Sequence, residues 1–575
     1  MKDLQTIEQE MKDECDVITE RLEHWAATTG DRRFVYHGEE DRAYSYAEFN
    51  AIANSIAHQL RAMGVEKGDR VSVFLRNSMT NLLCMFGILK LGAWNCPINY
   101  NYVGEVLAYN INDTGPKLLI TQSELIPALN DVKHDLPAIP VVVYQPAKRD
   151  HDYNAEAEAA KLDRKFKRIP FGELLEGGKD NLNVELAMSD VANIMYTSGT
   201  TGPPKGVVQP FRHMNQFTFM YRRITNQDDV IYNDLPIYHV GGAVWNVARA
   251  LYAGAGVGQW NTFDPAAFWD RIKACGATAC TLADSMIPSL LAPKLRPDDR
   301  ENPLNKIHTQ PLPQYHHELA TRFGVDIITC GFGMTECGHA MLAILEETAA
   351  GRGTPKHLYK GLSREEILAQ ANAYGIPVRT GAASVEKGYM GRPVVFQQAT
   401  ILNEVDEECA PHDPGQLSLR PLLPHILLKE YFNKPEATQK VFANQWFHTG
   451  DWAYRDEKGN FFMVDRIGAF IRTGKENISS YEIEDILNGH PEVAVAAVFP
   501  IPTSAGNTDD VVSFIVRTDG AGLEEPAFRE WIAEHVPEQM RPKHIRFVAQ
   551  LPRTPTNKIE KYKLKAQILQ ELGAA

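Results

Sequence analysis

A chain of 575 residues exceeds one ordinary hydrophobic core and calls for two or more domains. Its formal charge of −14 argues against an extended nucleic-acid groove while leaving room for a local basic pocket, and a hydrophobic content of 44% excludes a disordered or fibrous protein. The eight cysteines make no C-x-x-C pair and no metal-ligand spacing, as in a reduced enzyme that uses thiols as small hydrophobes.

The N-terminus, Met1 to Glu8, has no basic segment followed by an apolar one, so no secretory signal is expected there. The first half then alternates strand and helix patterns, the sign of parallel sheets covered by helices. Ser45-Tyr-Ala-Glu48 reads as a capping box, after which Phe49, Ile52, Ile56, Leu60 and Met63 recur at helical spacing up to Gly64. Val71 to Leu75 and Leu118 to Thr121 read as strands, with a buried helix over Leu83 to Leu91 between them. The apolar run around Leu82 to Trp94 is broken by Lys90 and is too short to span a bilayer, so no integral membrane segment is expected. From Ala147 to Arg168 the composition turns polar and reads as a surface excursion.

Val191 to Met195 reads as the end of a buried strand feeding the loop Tyr196-Thr-Ser-Gly-Thr-Thr-Gly-Pro-Pro-Lys-Gly206. Small side chains, exposed backbone N–H groups, several hydroxyls and one cation are the groups that wrap a polyphosphate. It is not a Walker loop, because Lys205 is followed by glycine rather than Ser or Thr. Taken alone, its composition is equally that of a surface loop.

Val230 to Leu235 reads as a strand leading to the turn-rich Pro236–Gly242, and Asp326 to Cys330 as a strand running into Gly331-Phe-Gly-Met-Thr-Glu336. Ser363-Arg-Glu-Glu366 is a capping box that predicts a helix reaching Tyr374 or Gly375. Between Gly391 and Val464 the pattern is β-rich with frequent turns, suggesting a small barrel or sheet. A boundary is expected near Asp465 to Gly468, and beyond it a compact α+β unit.

With the Tyr196–Gly206 loop, Gly331–Glu336, His448-Thr-Gly-Asp451 and the Pro552–Lys558 tail in hand, the chain resembles the adenylate-forming acyl-CoA synthetases nearly end to end. The first hundred residues look most like the carnitine/crotonobetaine-CoA ligase branch. The resemblance implies a large N-terminal domain, residues 1–467, of two α/β subdomains plus a small β-barrel. A small mobile α+β C-terminal domain, residues 468–575, would follow. It also implies a reaction in two halves. Acid and ATP give acyl-AMP and pyrophosphate, and coenzyme A then gives acyl-CoA and AMP, with a small-molecule carboxylic acid, ATP and CoA as partners and Mg²⁺ as cofactor. The protein's part is to position reactants and stabilise charge at phosphorus.

Residue by residue, the resemblance gives Thr197, Ser198, Gly199, Thr200, Thr201, Gly202 and Lys205 the β- and γ-phosphates. Phe332 matches the aromatic position that stacks on adenine, within an ATP-binding turn that includes Gly331, Gly333 and Met334. Thr335 matches an α-phosphate ligand and Glu336 the carboxylate that holds Mg²⁺, a hard-oxygen site. Asp451 matches the acceptor for both ribose hydroxyls, Arg466 a second ribose or phosphate contact, and Lys558 the lysine that meets the carboxylate and α-phosphate during adenylation. For the thioester step, Gly468 falls at the hinge, Gly474 and Lys475 in the loop that lines the pantetheine tunnel, and His239 at the tunnel mouth. Each motif also has a structural reading: a turn, a solvated carboxylate or a solvated tail lysine.

The chain departs from the family pattern at His308-Thr-Gln-Pro311, where Gly-Gly-Ala-Pro commonly lines the adenine and acyl sites; the bulkier, polar side chains are expected to reshape that wall, with Gln310 on the ATP. Gln416 and Asn557 replace a frequent Glu and Gly. The stretch 338–388 is longer than usual and reads as a lid over the acyl pocket or a partner surface. Trp245, Cys280, Cys330, Cys337 and His339 are expected to edge that pocket, and an Asp that would hold an α-ammonium group is absent near His239. The composition and the C-terminus, which is not a peroxisomal address, suggest a cytoplasmic enzyme, with oligomerisation left open. Competing expectations are a stand-alone adenylating enzyme that charges a carrier protein, a nucleotide-binding protein that has lost turnover, and, remotely, a luciferase-like oxygenase.

Overall fold

Ser45 starts the helix Tyr46–Ala62 by accepting a hydrogen bond from the Glu48 N–H at 3.1 Å. The expected capping box is only half made, because the Glu48 carboxylate turns away to Arg42 at 2.8 Å. At Ser363 both halves form: Oγ accepts from Glu366 N, Glu366 Oε2 accepts from Ser363 N at 2.7 Å, and the helix Arg364–Tyr374 ends on a left-handed Gly375. The computed structural model describes residues 1–197, 204–349, 351–381, 385–386, 388–466, 471–472, 477–478, 480–503, 508–518, 520–553 and 559–573, with the backbone alone described at 285, 465, 466, 472, 477, 481 and 482.

The alternation of strand and helix builds two large sheets. In the first, Trp94–Pro97, Arg70–Phe74, Leu118–Gln122, Pro140–Tyr144 and Lys167–Pro170 run parallel in that spatial order. Its other end is the antiparallel hairpin Val191–Thr197/Lys205–Pro210, to which the short strand Glu430–Tyr431 is added. The second sheet runs parallel through Gly256–Gln259, Val230–Asn233, Ala279–Leu282, Lys306–Thr309 and Ile327–Met334, then turns antiparallel at Gly338–Glu346. Tyr389–Pro393, Phe461–Arg466, Phe447–Arg455, Gly415–Pro421 and Gln397–Leu402 extend it as an antiparallel sheet.

This last part corrects the expectation of a small barrel. Closure would require a ladder between Gln397–Leu402 and Tyr389–Pro393. Both edges of Tyr389–Pro393 are already taken, by Gly338–Glu346 and by Phe461–Arg466, so the sheet stays open among the described residues. Two further expectations shift. Pro236–Gly242 leads into a π-helix, Gly241–Ala248, and the surface excursion holds the short helix Ala155–Glu158.

The C-terminal residues form their own layer, with Val493–Pro502, Asp509–Arg517 and His544–Phe547 in one sheet. Ala496 and Val498 pack with Phe528 and Ile532 on one face, whereas Ala497 and Phe499 pack with Leu564 and Ile568 on the other. A strand covered on both faces reads as the continuous apolar run seen here rather than as an alternation. The expected division between 467 and 468 lies outside the described residues.

The helix Phe211–Arg222 carries a polar sequence, FRHMNQFTFMYR, yet every residue of it is buried. Its outward cations are satisfied by the first helix of the chain, Leu4–Asp13, and by the turn that leads from it to the second, Ile18–Thr28. Arg212 grips Asp16 through two bonds of 3.0 and 2.6 Å, and Arg222 and Arg223 both engage Glu14. Buried guanidinium groups persist only when paired in this way. The 338–388 stretch completes the same network: Tyr374 donates to Glu10 at 2.7 Å and accepts from Lys2 at 2.8 Å. Its helix is thus anchored to the N-terminal arm. Among the described residues, no helix is long and apolar enough to cross a membrane.

Burial opposes ionisation of Glu14, but the Arg222 and Arg223 guanidinium groups outweigh it and hold the carboxyl at about 2, below its ordinary 4.5. A depressed carboxylate stabilises the fold above its unfolded pKa, and that stabilisation is lost as pH falls through the folded value. Glu14→Gln is therefore expected to cost about 3–5 kcal/mol at neutral pH, the cost of breaking a buried pair. It should also flatten the loss of Tm on acidification from pH 4.5 toward about 2, measured by thermal denaturation across that range.

Candidate active site

Val191–Thr197 and Lys205–Pro210 pair antiparallel, with Thr197 opposite Lys205 and both half-buried at the two ends of the glycine-rich stretch. Ser198, Gly199, Thr200, Thr201 and Gly202 lie outside the described residues. Tyr431 pairs with Val207, and the Lys205 ammonium sits 5.1 Å from the Tyr431 ring centre. The Tyr431 hydroxyl donates to Glu336 Oε1 at 2.9 Å, and Glu336 is buried. Lys205, Tyr431 and Glu336 therefore form one line from the base of the loop to the end of the second sheet.

Gly331, Phe332, Gly333 and Met334 are the last residues of Ile327–Met334, which pairs with Gly338–Glu346 through a bulge between Phe332 and Gly333. A Cβ at Gly331 would stand 2.1 Å from the Met341 carbonyl oxygen, which is why the strand carries glycine there. Phe332 is 2% exposed and packs with Val207, Met341 and Leu417. The Gln310 amide donates to the Gly333 carbonyl at 2.9 Å, tying two neighbouring strand ends together. Thr335 is buried, and its carbonyl faces Gln209 Nε2 at 2.9 Å and His213 Nε2 at 3.1 Å.

Burial pushes His213 down to about 4. The neutral ring donates to only one of the two carbonyls it touches, Thr335 or Ile426, at a time. Gln216 adds donors to Cys337 and Ile426, at 3.1 and 2.7 Å. The Gly331–Glu336 turn is thus held from behind by Gln209, His213 and Gln216, none of which the sequence reading singled out, nor did it single out Tyr431. A signal was present: His213 and Gln216 stand at i, i+3 on a helix directly after the loop strand, a polar stripe among aromatic residues.

Asp451 is buried opposite Arg466 in the Phe447–Arg455/Phe461–Arg466 ladder, and its N–H donates to Thr449 Oγ1 at 3.1 Å across a turn with Gly450 at φ +78°. Arg466 is described in backbone only. His239 Nδ1 accepts from Gly241 N at 3.0 Å, just before the π-helix. Gly468, Gly474, Lys475 and Lys558 lie outside the described residues. The tail around Lys558 is bracketed by an antiparallel bridge between Arg553 and Ile559. Burial first, and then charges that include Glu560, raise the Tyr238 and Tyr102 phenols.

The structure brings Trp245, His308 and His339 together. Trp245 lies 3.7 Å from His339 and 4.7 Å from His308, centre to centre, and Tyr221 Oη meets His308 Nδ1 at 3.2 Å. Burial, reinforced by Arg249, pushes His308 down to about 3, so it is neutral. Cys280 and Cys330 are buried in the second sheet, whereas Cys337 belongs to the cluster around Phe332.

A family model described as "AMP-binding enzyme" matches residues 22–421, and a second, "AMP-binding enzyme C-terminal domain", matches residues 482–558. The chain belongs to the AMP-binding enzyme family. Among curated proteins, this AMP-binding enzyme is 27% identical over 537 residues to a crotonobetaine/carnitine–CoA ligase of Proteus mirabilis, covering 91% of this chain and 93% of that one. It is 28% identical over 536 residues to the protein of that name in Salmonella typhimurium, with the same coverage. Its fold is that of ATP-bound MatB from Rhodopseudomonas palustris, with a TM-score of 0.76 at 22% identity over 96% of this chain and 98% of that one. An anthranilate CoA ligase, AuaEII, in complex with anthranoyl-AMP gives a TM-score of 0.78 at 20% identity over 97% and 98%.

If the Tyr431 hydroxyl orients the Glu336 carboxylate, Tyr431→Phe removes a hydrogen bond to a charged group, worth about 1.5–3 kcal/mol. The expected outcome is tenfold or greater weakening of ATP binding in the presence of Mg²⁺, on the order that this energy implies, with a small change in Tm. Calorimetric titration of both proteins measures it.

Proposed function

We infer that the protein is an ATP-dependent carboxylic acid–CoA ligase acting through an acyl-adenylate. The observation that carries this reading is the line Lys205–Tyr431–Glu336, which joins the phosphate-type loop to the buried carboxylate at the end of Ile327–Met334 in a chain matched by both family models. In the first half-reaction a carboxylate oxygen of the acid attacks the α-phosphorus. The new P–O bond replaces the bond to the β-phosphate, and pyrophosphate leaves with the bonding electrons. Thr335 and Lys558 are proposed to stabilise charge at the α-phosphate. The loop from Thr197 to Lys205 would do so at the departing phosphates, and Asp451 and Arg466 would hold the ribose. Gln310, Gly331, Phe332, Gly333 and Met334 are proposed to form the wall around the base. In the second half-reaction the coenzyme A thiolate attacks the acyl carbon, and AMP leaves as the C–O bond breaks.

A divalent cation fits the residues present. Glu336 is a buried hard-oxygen donor, already oriented by a hydroxyl, beside the strand that carries Lys205. Glu336 would hold Mg²⁺, which when bound neutralises phosphate charge. The chain is proposed to divide at residues 467 and 468, with the small domain rotating about Gly468 between half-reactions, bringing Lys558 for the first and Gly474 and Lys475 for the second.

An acid panel assayed for CoA-dependent AMP release tests the reading. Carboxylate-dependent exchange of pyrophosphate into ATP without any thioester would favour a carrier-charging enzyme, and ATP binding without exchange a protein that has lost turnover. Lys558→Ala is expected to lower pyrophosphate exchange roughly a hundredfold, as for loss of one charge-stabilising donor, while sparing thioester formation from supplied acyl-adenylate. Gly468→Pro, which fixes φ at the hinge, should do the reverse. Equal loss of both half-reactions in either variant would count against its assigned role.

A further inference from the structure

Arg249 is the residue the proposed reaction leaves unused. It follows the π-helix Gly241–Ala248, is 4% exposed, and neither its Nε nor its Nη2 has a hydrogen-bond partner among the described residues. Burial lowers its pKa to about 10, which still leaves it charged at neutral pH. An unpaired guanidinium in the interior is costly, and elsewhere this chain avoids that cost: Arg212 and Arg222 are equally buried and both grip carboxylates. The buried acid nearest in charge to Arg249, Asp229, is already committed to Lys306 at 2.8 Å and to Thr278 at 2.5 Å.

The surroundings of Arg249 include Trp245 and His339, which are expected to edge the acyl pocket. Its guanidinium lies 5.0 Å from the Trp245 ring centre, and the Trp245 ring also packs on His339 and His308. His308 stands two residues before Gln310 on the same strand end, and His339 is paired with Gly333, whose carbonyl Gln310 holds. The cluster is therefore one layer below the strand ends assigned to the nucleotide. His339 Nδ1 is also buried without a hydrogen-bond partner. Two unmet polar groups thus stand against one indole, and such groups favour an oxygen-bearing ligand over a hydrocarbon tail.

Resting on the ligase reading, we propose that Arg249, with His339, anchors a second carboxylate at the distal end of the acid, so that the substrate is a dicarboxylic acid activated at its other end. A planar fork of N–H donors matches a carboxylate in a bidentate pair. The same cation disfavours an acid whose distal group is a trimethylammonium, so this chain would differ in substrate from the ligases it is similar to.

The test compares succinate, glutarate, adipate and suberate with butyrate, valerate, hexanoate and octanoate, and with carnitine, in CoA-dependent AMP release by the full chain. At least one diacid is expected to exceed its matched mono-acid in kcat/KM by tenfold or more, in line with about 1.5–3 kcal/mol for a hydrogen bond to a charged group. Arg249→Met should bring that ratio toward unity, chiefly through KM for the diacid, and Arg249→Lys should restore part of it. A wild-type preference for mono-acids or carnitine, or a ratio unchanged in Arg249→Met, overturns the proposal. Thermal stabilisation of the ATP-loaded protein by the same diacids supplies a readout independent of turnover. Diacid stabilisation that Arg249→Met abolishes, with no AMP from any acid, would leave the anchor standing and sink the ligase reading. AMP release from mono-acids, with no response to diacids in either assay, would do the opposite.

Discussion

The carbonyl of Thr335 is the point on which this structure turns. It ends a strand of the second sheet, and the groups that hold it, Gln209 and His213, come from the chain directly after the phosphate-type loop of the first sheet. Two sheets that share no ladder are thereby registered at the place where a triphosphate would lie between them. Buried carbonyls demand donors, and meeting that demand from the other sheet converts a general requirement of folding into alignment of the loop with Glu336. Tyr431 repeats the device one residue further on, bridging from the strand beside Lys205 to the Glu336 carboxylate.

The helix Phe211–Arg222 carries this coupling, and its burial explains the N-terminal arm. One side presents His213 and Gln216 to the active-site turn, and another presents Arg212, Arg222 and Arg223 to Asp16 and Glu14. A helix with polar groups on several sides is stable in an interior only if each side meets partners. The arm and the helix Arg364–Tyr374 supply those partners, so the long 338–388 stretch acts, through Tyr374, as part of the support behind the site. The stretch was expected to be a lid over the acyl pocket or a partner surface; its helix Arg364–Tyr374 braces the N-terminal arm.

Much of the fold was legible because local chemistry and tertiary context agreed. The Ser363 capping box, the Gly375 stop and the strands at Val71, Leu118 and Val191 appear within a residue or two of their expected bounds, and the strand expected from Asp326 starts at Ile327 but runs past Cys330 to Met334. The barrel was not legible, because turn-rich β sequence does not say which edges pair, and Tyr389–Pro393 spends both of its edges on other strands. In the site, Thr335 and Glu336 were singled out because Gly331–Glu336 resembles a family motif. Gln209, His213 and Tyr431 could not be, because their roles depend on carbonyls and carboxylates more than 90 residues away.

The sequence by itself determined that this is a nucleotide-handling α/β chain with a separate C-terminal unit, since periodicity, capping and glycine-rich loops are written in neighbouring residues. Tertiary structure alone decided which polar groups are spent and which are left over. Arg212, Arg222 and Arg249 are alike as letters in helices of one subdomain. Only the arrangement of distant carboxylates pairs the first two and leaves Nε and Nη2 of the third unmatched against Trp245. Burial makes that difference costly, and an unmet charge held in an interior is where a ligand's identity comes to be specified.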